Sequence, residues 1–412
     1  MFSLARKCFM MRHVWLCAIF CLSCLYAKGQ YFSLKDNHKS VDIPFKFLRN
    51  LVIIQLNINN KGPYNFVLDT GVGLMIITDS SLADSISIAG TRKIKITGLG
   101  DDDEASVAIV TPALNVDIHG LVSNGVSAAI LKTDIFNLSG YTGVPVHGLI
   151  GYDFFNGLAV KINFNDSVLT AYAPGKAKLF KKSQRVPITI EDNKPYLQAY
   201  ITMPDGSRVL NKLIVDLGAG HPVSLESSAK KYGVLLNKIP ANLGIALNGP
   251  ISGYIGRIKE VEIGKYKLKD VIASFPDESY EQRTNIPRDG NIGAGILKKF
   301  NLLFDYTNNA LYLKPNDNFK APFEHDMSGI EYYLTGNDLS HMIITRVAPD
   351  SPADEIGLLR GDEIVSINFK PIAKMTAGEI DNIFKTPGRS LLLEIFHDGK
   401  HERVVINLRR RI

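Results

Sequence analysis

Asp69 and Asp216 are the residues of this chain whose types and settings could do chemistry together. Each ends a short apolar run and opens a glycine turn: Phe66-Val67-Leu68-Asp69-Thr70-Gly71 and Leu213-Ile214-Val215-Asp216-Leu217-Gly218. An ionisable group at the end of an apolar run is costly to bury alone, and a single one would read as a turn residue. Two in matching contexts read as partners. Two adjacent negative charges are disfavoured, so a pair of carboxyls can share one proton, one serving as base and the other as acid. That division of labour activates water for attack on an amide.

The elements around each Asp form a duplication. Gly148-Leu149-Ile150-Gly151 follows the first and Gly290-Asn291-Ile292-Gly293 the second, with 82 and 77 residues separating each Asp from the last glycine. Beyond these glycines the two stretches align without a gap. Phe154, Phe155, Leu158, Val160, Ile162, Asn163, Phe164 and Leu169 match Ile296, Leu297, Phe300, Leu302, Phe304, Asp305, Tyr306 and Leu311. Each stretch predicts a short helix, a strand, a turn and another strand. A repeat of about 145 residues is too long for a solenoid unit and means two homologous lobes.

These motifs resemble those of the two-lobed aspartic proteases of the pepsin and retropepsin superfamily, over roughly residues 40 to 315. In that family an Asp-Thr/Ser-Gly turn and a later hydrophobic-hydrophobic-Gly motif recur in each lobe. The resemblance implies an all-β bilobal fold in which the two turns meet under a pseudo-two-fold axis, within one chain. It makes Asp69 and Asp216 the catalytic pair and Thr70, Gly71, Leu217 and Gly218 the active-site turns. The substrate would be a peptide or protein, with no cofactor and no metal. Two departures stand out. Thr70 carries the hydroxyl the family uses to reach the opposite lobe, and Leu217 does not. Gly73 and Gly220 stand where the family often has a hydroxyl on the outer carboxylate oxygen. A lost hydrogen bond to a charged group costs about 1.5–3 kcal/mol if nothing replaces it. Two readings follow: an active endopeptidase, and a non-catalytic peptide-binding protein with a degraded cleft.

The first 29 residues read as a signal peptide. Arg6, Lys7 and Arg12 precede an apolar run from Val14 to Tyr26, and Ala27-Lys28-Gly29 supplies small residues for cleavage. The run is too short and wrongly flanked for a membrane span, so no transmembrane segment is expected in the mature chain. The expected destination is periplasmic or secreted, with lipid attachment at Cys24 ranked second. All four cysteines lie in this leader, which excludes disulfides, a thiolate zinc site and a cysteine nucleophile from the mature chain. The leader also carries four basic residues and no acids, so the net charge of +6 falls to +2 without it. No clustered basic face suggests a nucleic-acid partner, and Arg409-Arg410-Arg411 reads as a solvated end.

Alternating strands such as Ile53-Ile54-Gln55-Leu56-Asn57-Ile58 fit β-rich domains. The divisions expected are a leader over 1–29, lobes over 30–174 and 175–315, a proline-flanked linker over 316–328, and a last domain over 329–412. In that domain Ser351-Pro352 signals a helix start and Gly357 its stop, with a second helix around Thr376 to Phe384. Its Ser-Pro-Ala, Gly-Leu, Gly-Asp and Ile-Asn elements resemble a bacterial protease-associated PDZ domain, a small β-rich α+β fold. The resemblance implies a groove where an extended peptide ligand adds as a strand, expected beside Ser340, His341, Met342, Ile343 and Ile344. Thr335-Gly336-Asn337-Asp338-Leu339 is the nearest candidate for its carboxylate loop.

Weaker signals have plainer readings. Asp101-Asp102-Asp103-Glu104 reads as a charged hairpin loop, which a flap tip would also be. His221, five residues after the second Asp, has two readings, a group that perturbs the titration of that Asp and a packing or capping residue, and the second is the commoner role of such a His. His401-Glu402 lacks the second His of a zinc helix. No serine-hydrolase elbow or phosphate-cradling glycine loop occurs.

Overall fold

Apolar residues recurring at every second position fold this chain into long strands. The strand Leu51–Ile58 buries nearly all its side chains, and its counterpart Lys194–Thr202 alternates buried and open ones. The computed structural model describes residues 32–86, 92–95, 107–226, 237–246, 249–277 and 286–412. The leader and the acidic run 101–104 lie outside the described residues.

Each lobe repeats one plan. In the first, the strand Lys61–Leu68 delivers Asp69 and runs parallel to Gly148–Ile150, which pairs antiparallel with Met75–Ile77 on its other edge. In the second, Arg208–Asp216 runs parallel to Gly290–Gly293, which pairs antiparallel with Val223–Leu225. Short helices, Tyr152–Phe155 and Ala294–Leu297, follow the paired glycine strands. The structure is an all-β bilobal fold of the pepsin and retropepsin kind, followed by a small domain with its own sheet and core.

The lobes meet across a shared sheet. Ala159–Asn163 pairs antiparallel with Phe300–Asp305, its counterpart in the repeat. Lys161 faces Leu303, Val160 faces Phe304 and Ile162 faces Leu302. In the sequence repeat Lys161 and Leu303 are equivalent positions, so a pseudo-two-fold axis passes through that pair. Phe155 packs edge-on against Phe304 and stacks on Tyr306, with centroids 5.1 and 5.4 Å apart. One apolar core runs through both lobes without interruption.

The last domain has the sheet order Ile330–Thr335, His341–Val347, Glu363–Ile367, Ser390–His397, Lys400–Asn407. Its helices begin where their caps dictate. Ser351 accepts from Asp354 N ahead of Pro352–Glu355, and Thr376 with Glu379 forms a capping box ahead of Ala377–Phe384. The segment 316–328 is packed rather than free: Phe319 and Phe323 join the protease core, and Lys299 Nζ donates to Ala321 O. The terminal arginines are ion-paired rather than merely solvated, Arg409 to Glu355 and Arg410 to Glu324.

Phe304 lies in the core at this junction, so Phe304→Ala should cost about 3–5 kcal/mol. Because the lobes share strands, loss should appear as one cooperative transition moved to lower denaturant in far-UV circular dichroism. Two separated transitions would show that the lobes unfold independently.

Candidate active site

The two Asp turns meet at the lobe interface. Asp69 is buried, and its carboxyl lies within hydrogen-bonding reach of that of Asp216, which is half-buried. Asp69 Oδ1 accepts from Gly71 N at 2.7 Å, and Asp216 Oδ1 from Gly218 N at 2.9 Å. Glycine is required here by close approach. A Cβ on Gly71 would stand 3.0 Å from both Asp69 Oδ1 and Asp216 Oδ1, and one on Gly218 would overlap the Asp69 carboxyl.

Thr70 bridges the two Asp turns without a hydroxyl counterpart at Leu217. Its hydroxyl donates to Val215 O at 2.6 Å and accepts from Leu217 N at 2.9 Å, so it serves both backbone groups of the opposite turn. Leu217 points into the shared core and is fully buried. The glycines without hydroxyls are met by asparagines from left-handed turns of the opposite lobe. Asn50 Nδ2 donates to Gly220 O at 2.7 Å, and Asn193 stands against Gly73, 3.2 Å from where a Cβ would lie. Arg49-Asn50 and Asp192-Asn193 both have positive φ at each residue, as type I′ turns require. Sequence reading missed these asparagines. Their position one strand upstream of each Asp is the signal that could have found them.

The surroundings of the two carboxyls differ. Asp216 Oδ2 accepts from Asn291 Nδ2 at 3.1 Å, and Asn291 Oδ1 accepts from His221 Nε2 at 2.6 Å. His221, read from sequence as packing or capping, is thus joined to the pair through one amide. Burial lowers its pKa, against smaller raising effects of Asn291 and Asp216. Burial also pushes the Asp69 carboxyl well above the usual range, and the neighbouring Asp216 adds to this. The Gly71 N–H and the Lys194 ammonium oppose that rise. The phenol of Tyr306 is raised too, by burial first and then by Tyr152 and both aspartates, and stays neutral.

A cavity of about 1950 Å³ contains this pair and extends to the last domain, reaching Tyr332, Asp381 and Arg346. The second-lobe hairpin strand Lys238–Ala246 contributes Ile239 to Ile245 to its wall. Arg49 anchors the junction on the first lobe: its Nε donates to Asp381 Oδ2 at 3.1 Å, and its guanidinium lies over the rings of Tyr141 and Tyr332. On the second lobe, Arg346 Nη2 donates to Pro240 O at 3.3 Å.

One expected site needs correction. The strand His341–Val347 is paired on one side by Ile330–Thr335 and on the other by Glu363–Ile367. Ser340, His341, Met342, Ile343 and Ile344 therefore offer no open edge for strand addition. The strand that ends the sheet is Ile330–Thr335, and it is also the one beside the helix Ala377–Phe384: Tyr332 Oη donates to Asp381 Oδ1 at 2.9 Å. Its outer side faces Arg49 and the helix Leu138–Thr142 of the first lobe. Among the described residues no cluster of three or more His, Cys, Asp or Glu could hold a metal, and no helix is long and apolar enough to cross a membrane.

The raised Asp69 pKa fixes a sign. Above the ordinary carboxylate range the folded chain still holds a proton that the unfolded chain has released, so stability from this group falls as pH rises. Asp69→Asn removes that loss. The variant should gain melting temperature over wild type as pH rises from about 4 to about 7, with the difference vanishing near pH 3. A difference independent of pH would mean that Asp69 titrates normally.

Comparison with protein-family models matches residues 54–154 to an aspartyl protease family and residues 343–395 to a PDZ domain. A search of curated proteins found no match. The first match contains Asp69, Thr70, Gly71 and the Leu149-Ile150-Gly151 motif, and the second lobe repeats its topology strand for strand at the site. The chain carries an aspartyl protease domain match over residues 54–154, within the first of its two lobes, and a PDZ domain over residues 343–395.

Proposed function

We propose that the protein is an exported aspartic endopeptidase in which Asp69 and Asp216 jointly activate a water for attack on a peptide bond. The observation that carries this reading is the buried carboxyl pair, held by matching glycine turns at the end of an open cavity. Two carboxyls in one site hold a single proton over a range of pH. The ionised one takes a proton from water, the neutral one protonates the scissile carbonyl oxygen, and the roles reverse as the amine leaves. The Thr70 bridge and the two asparagine contacts support a pair that keeps its geometry without the missing hydroxyls. Export rests on the leader pattern in the sequence, with lipid attachment at Cys24 as the second possibility.

Casein hydrolysis by the mature chain across pH, with and without a statine-type inhibitor, tests the activity. Either Asp→Asn substitution should reduce the rate by at least about 10³-fold while the circular dichroism stays that of wild type, and the double variant should be no worse. Full activity in either variant would point to another catalytic centre. Absence of activity in the wild type at every pH would leave the chain a peptide-binding protein.

The PDZ domain, in this reading, handles the same polypeptide as the cleft, because residues beside its end strand line the cavity of the carboxyl pair. Arg49→Ala removes the pairing with Asp381, both partners being mostly shielded from solvent. Cleavage of the segment 316–328 by an added protease should then accelerate by about tenfold or more. An unchanged rate would show that Arg49 does not hold the two domains together.

A further inference from the structure

The repeat makes the two carboxyls equivalent in backbone and unequal in side chains. Five residues after Asp69 stands Leu74, and five after Asp216 stands His221. The position before Ile150-Gly151 is Leu149, and the one before Ile292-Gly293 is Asn291. Leu74 and Leu149 belong to an apolar cluster of the first lobe. His221 and Asn291 form a hydrogen-bonded chain that ends on Asp216 Oδ2. We propose that Asn291, oriented by His221, makes Asp216 the ionised member of the pair and leaves the shared proton on Asp69.

The direction follows from donor and acceptor roles. An Asn side-chain oxygen only accepts, so the 2.6 Å contact requires a proton on His221 Nε2. With its oxygen on His221, the amide turns its NH₂ toward Asp216, where it favours the anion. Asp216 then accepts from two protein donors, one on each oxygen, Gly218 N and Asn291 Nδ2. For Asp69 the donor is Gly71 N, and its second partner is the Asp216 carboxyl itself. The titratable groups facing the pair are Lys194, which lowers the Asp69 pKa, His221, which reaches Asp216 through Asn291, and the Tyr306 phenol, which feels both carboxyls. Burial lowers the His221 pKa and so favours the neutral ring, which still donates from Nε2 to Asn291 Oδ1. Its place is held by the glycine strand and helix opposite: Gly293 N donates to Pro222 O and Gly295 N to His221 O. Both glycines are needed, since a Cβ on either would overlap backbone of the 219–222 segment. Asn291 and His221 are positioning residues, and the inference rests on the dyad reading only for its consequence in hydrolysis.

The assignment can be read without turnover. The mature chain is treated separately with a nitrophenyl glycidyl ether and with a diazoacetyl amino-acid ester. A carboxylate anion opens the epoxide. A neutral carboxyl gives its proton to the diazo carbon, nitrogen leaves, and the carboxylate oxygen bonds to that carbon. Peptide mapping by mass spectrometry gives the ratio of labels on the two aspartates. Between the two pKa values of the pair, the epoxide should mark Asp216 over Asp69 by about tenfold or more, and the diazo reagent should show the reverse preference. Asn291→Leu, which installs the residue of the matching position, should bring both ratios to within about threefold of unity, with His221→Leu losing part of the preference. In the active enzyme, Asn291→Leu should also move the acid limb of kcat/KM to higher pH, because the anion loses a donor. Epoxide labelling of Asp69 in wild type overturns the proposal, as does a ratio that Asn291→Leu leaves unchanged. The wild-type measurement stands even if a variant does not fold. A protein inert toward casein but labelled as expected loses the proposed activity and keeps the asymmetry. An active protein that labels on Asp69 with the epoxide keeps the activity and loses the asymmetry.

Discussion

Two carboxyl groups placed within hydrogen-bonding reach of each other cannot both be charged without a large electrostatic cost, and the rest of this molecule answers that constraint. A shared proton is the cheapest way to satisfy it, and sharing requires the oxygens to stay close. That closeness explains why glycine follows each Asp by two residues: a methyl group on Gly218 would overlap the Asp69 carboxyl, and one on Gly71 would stand only 3.0 Å from Asp216 Oδ1. It also explains the parallel strand beside each Asp strand. Asp69 N donates to Ile150 O, so each turn is anchored to the glycine strand behind it as well as to its own. The shared sheet beneath then sets the distance between the turns. A slip of one residue at Lys161 and Leu303 would turn every core side chain of those strands to the wrong face.

A duplicated fold need not keep its halves equal, and this one divides the work. Thr70 makes both cross-lobe bonds, to the Val215 carbonyl and the Leu217 amide, which leaves residue 217 free to be apolar. Leu217 uses that freedom to fill the core. The departure that looked like damage in the sequence is thus compensated on one side by hydrogen bonding and on the other by burial. The asparagine contacts at Gly220 and Gly73 follow the same logic in symmetric form, each lobe lending a turn to the other. Polarity around the carboxyls is where symmetry is given up. Leucines line one side and a histidine–asparagine chain the other.

What the sequence revealed, and what it hid, follows from the distance over which each feature is determined. The Asp turns, the paired glycine motifs and the helix caps at Ser351 and Thr376 are local patterns, and the structure has them where the residues stand. The repeat register was legible because both copies carry it in the same chain. Asn291 and His221 were hidden because they are 70 residues apart, and only the pairing of Val223–Leu225 with Gly290–Gly293 brings their strands side by side. The PDZ edge was misread for a related reason. A strand followed by a groove-forming helix looks alike whether it lies at the rim of the sheet or inside it. Rim position depends on a partner strand, here Ile330–Thr335, whose pairing with His341–Val347 no local pattern reports.

That correction changes how the two domains relate. The end strand lies beside Arg49, the residue that immediately precedes Asn50. The same two-residue turn thus contacts the PDZ helix with one side chain and Gly220, just after the Asp216 turn, with the next. Lys298 donates to Asn50 Oδ1 from the second lobe, so the turn is held from three directions. Two adjacent residues of the first lobe, Arg49 and Asn50, thus stand between the PDZ helix and the segment that follows Asp216.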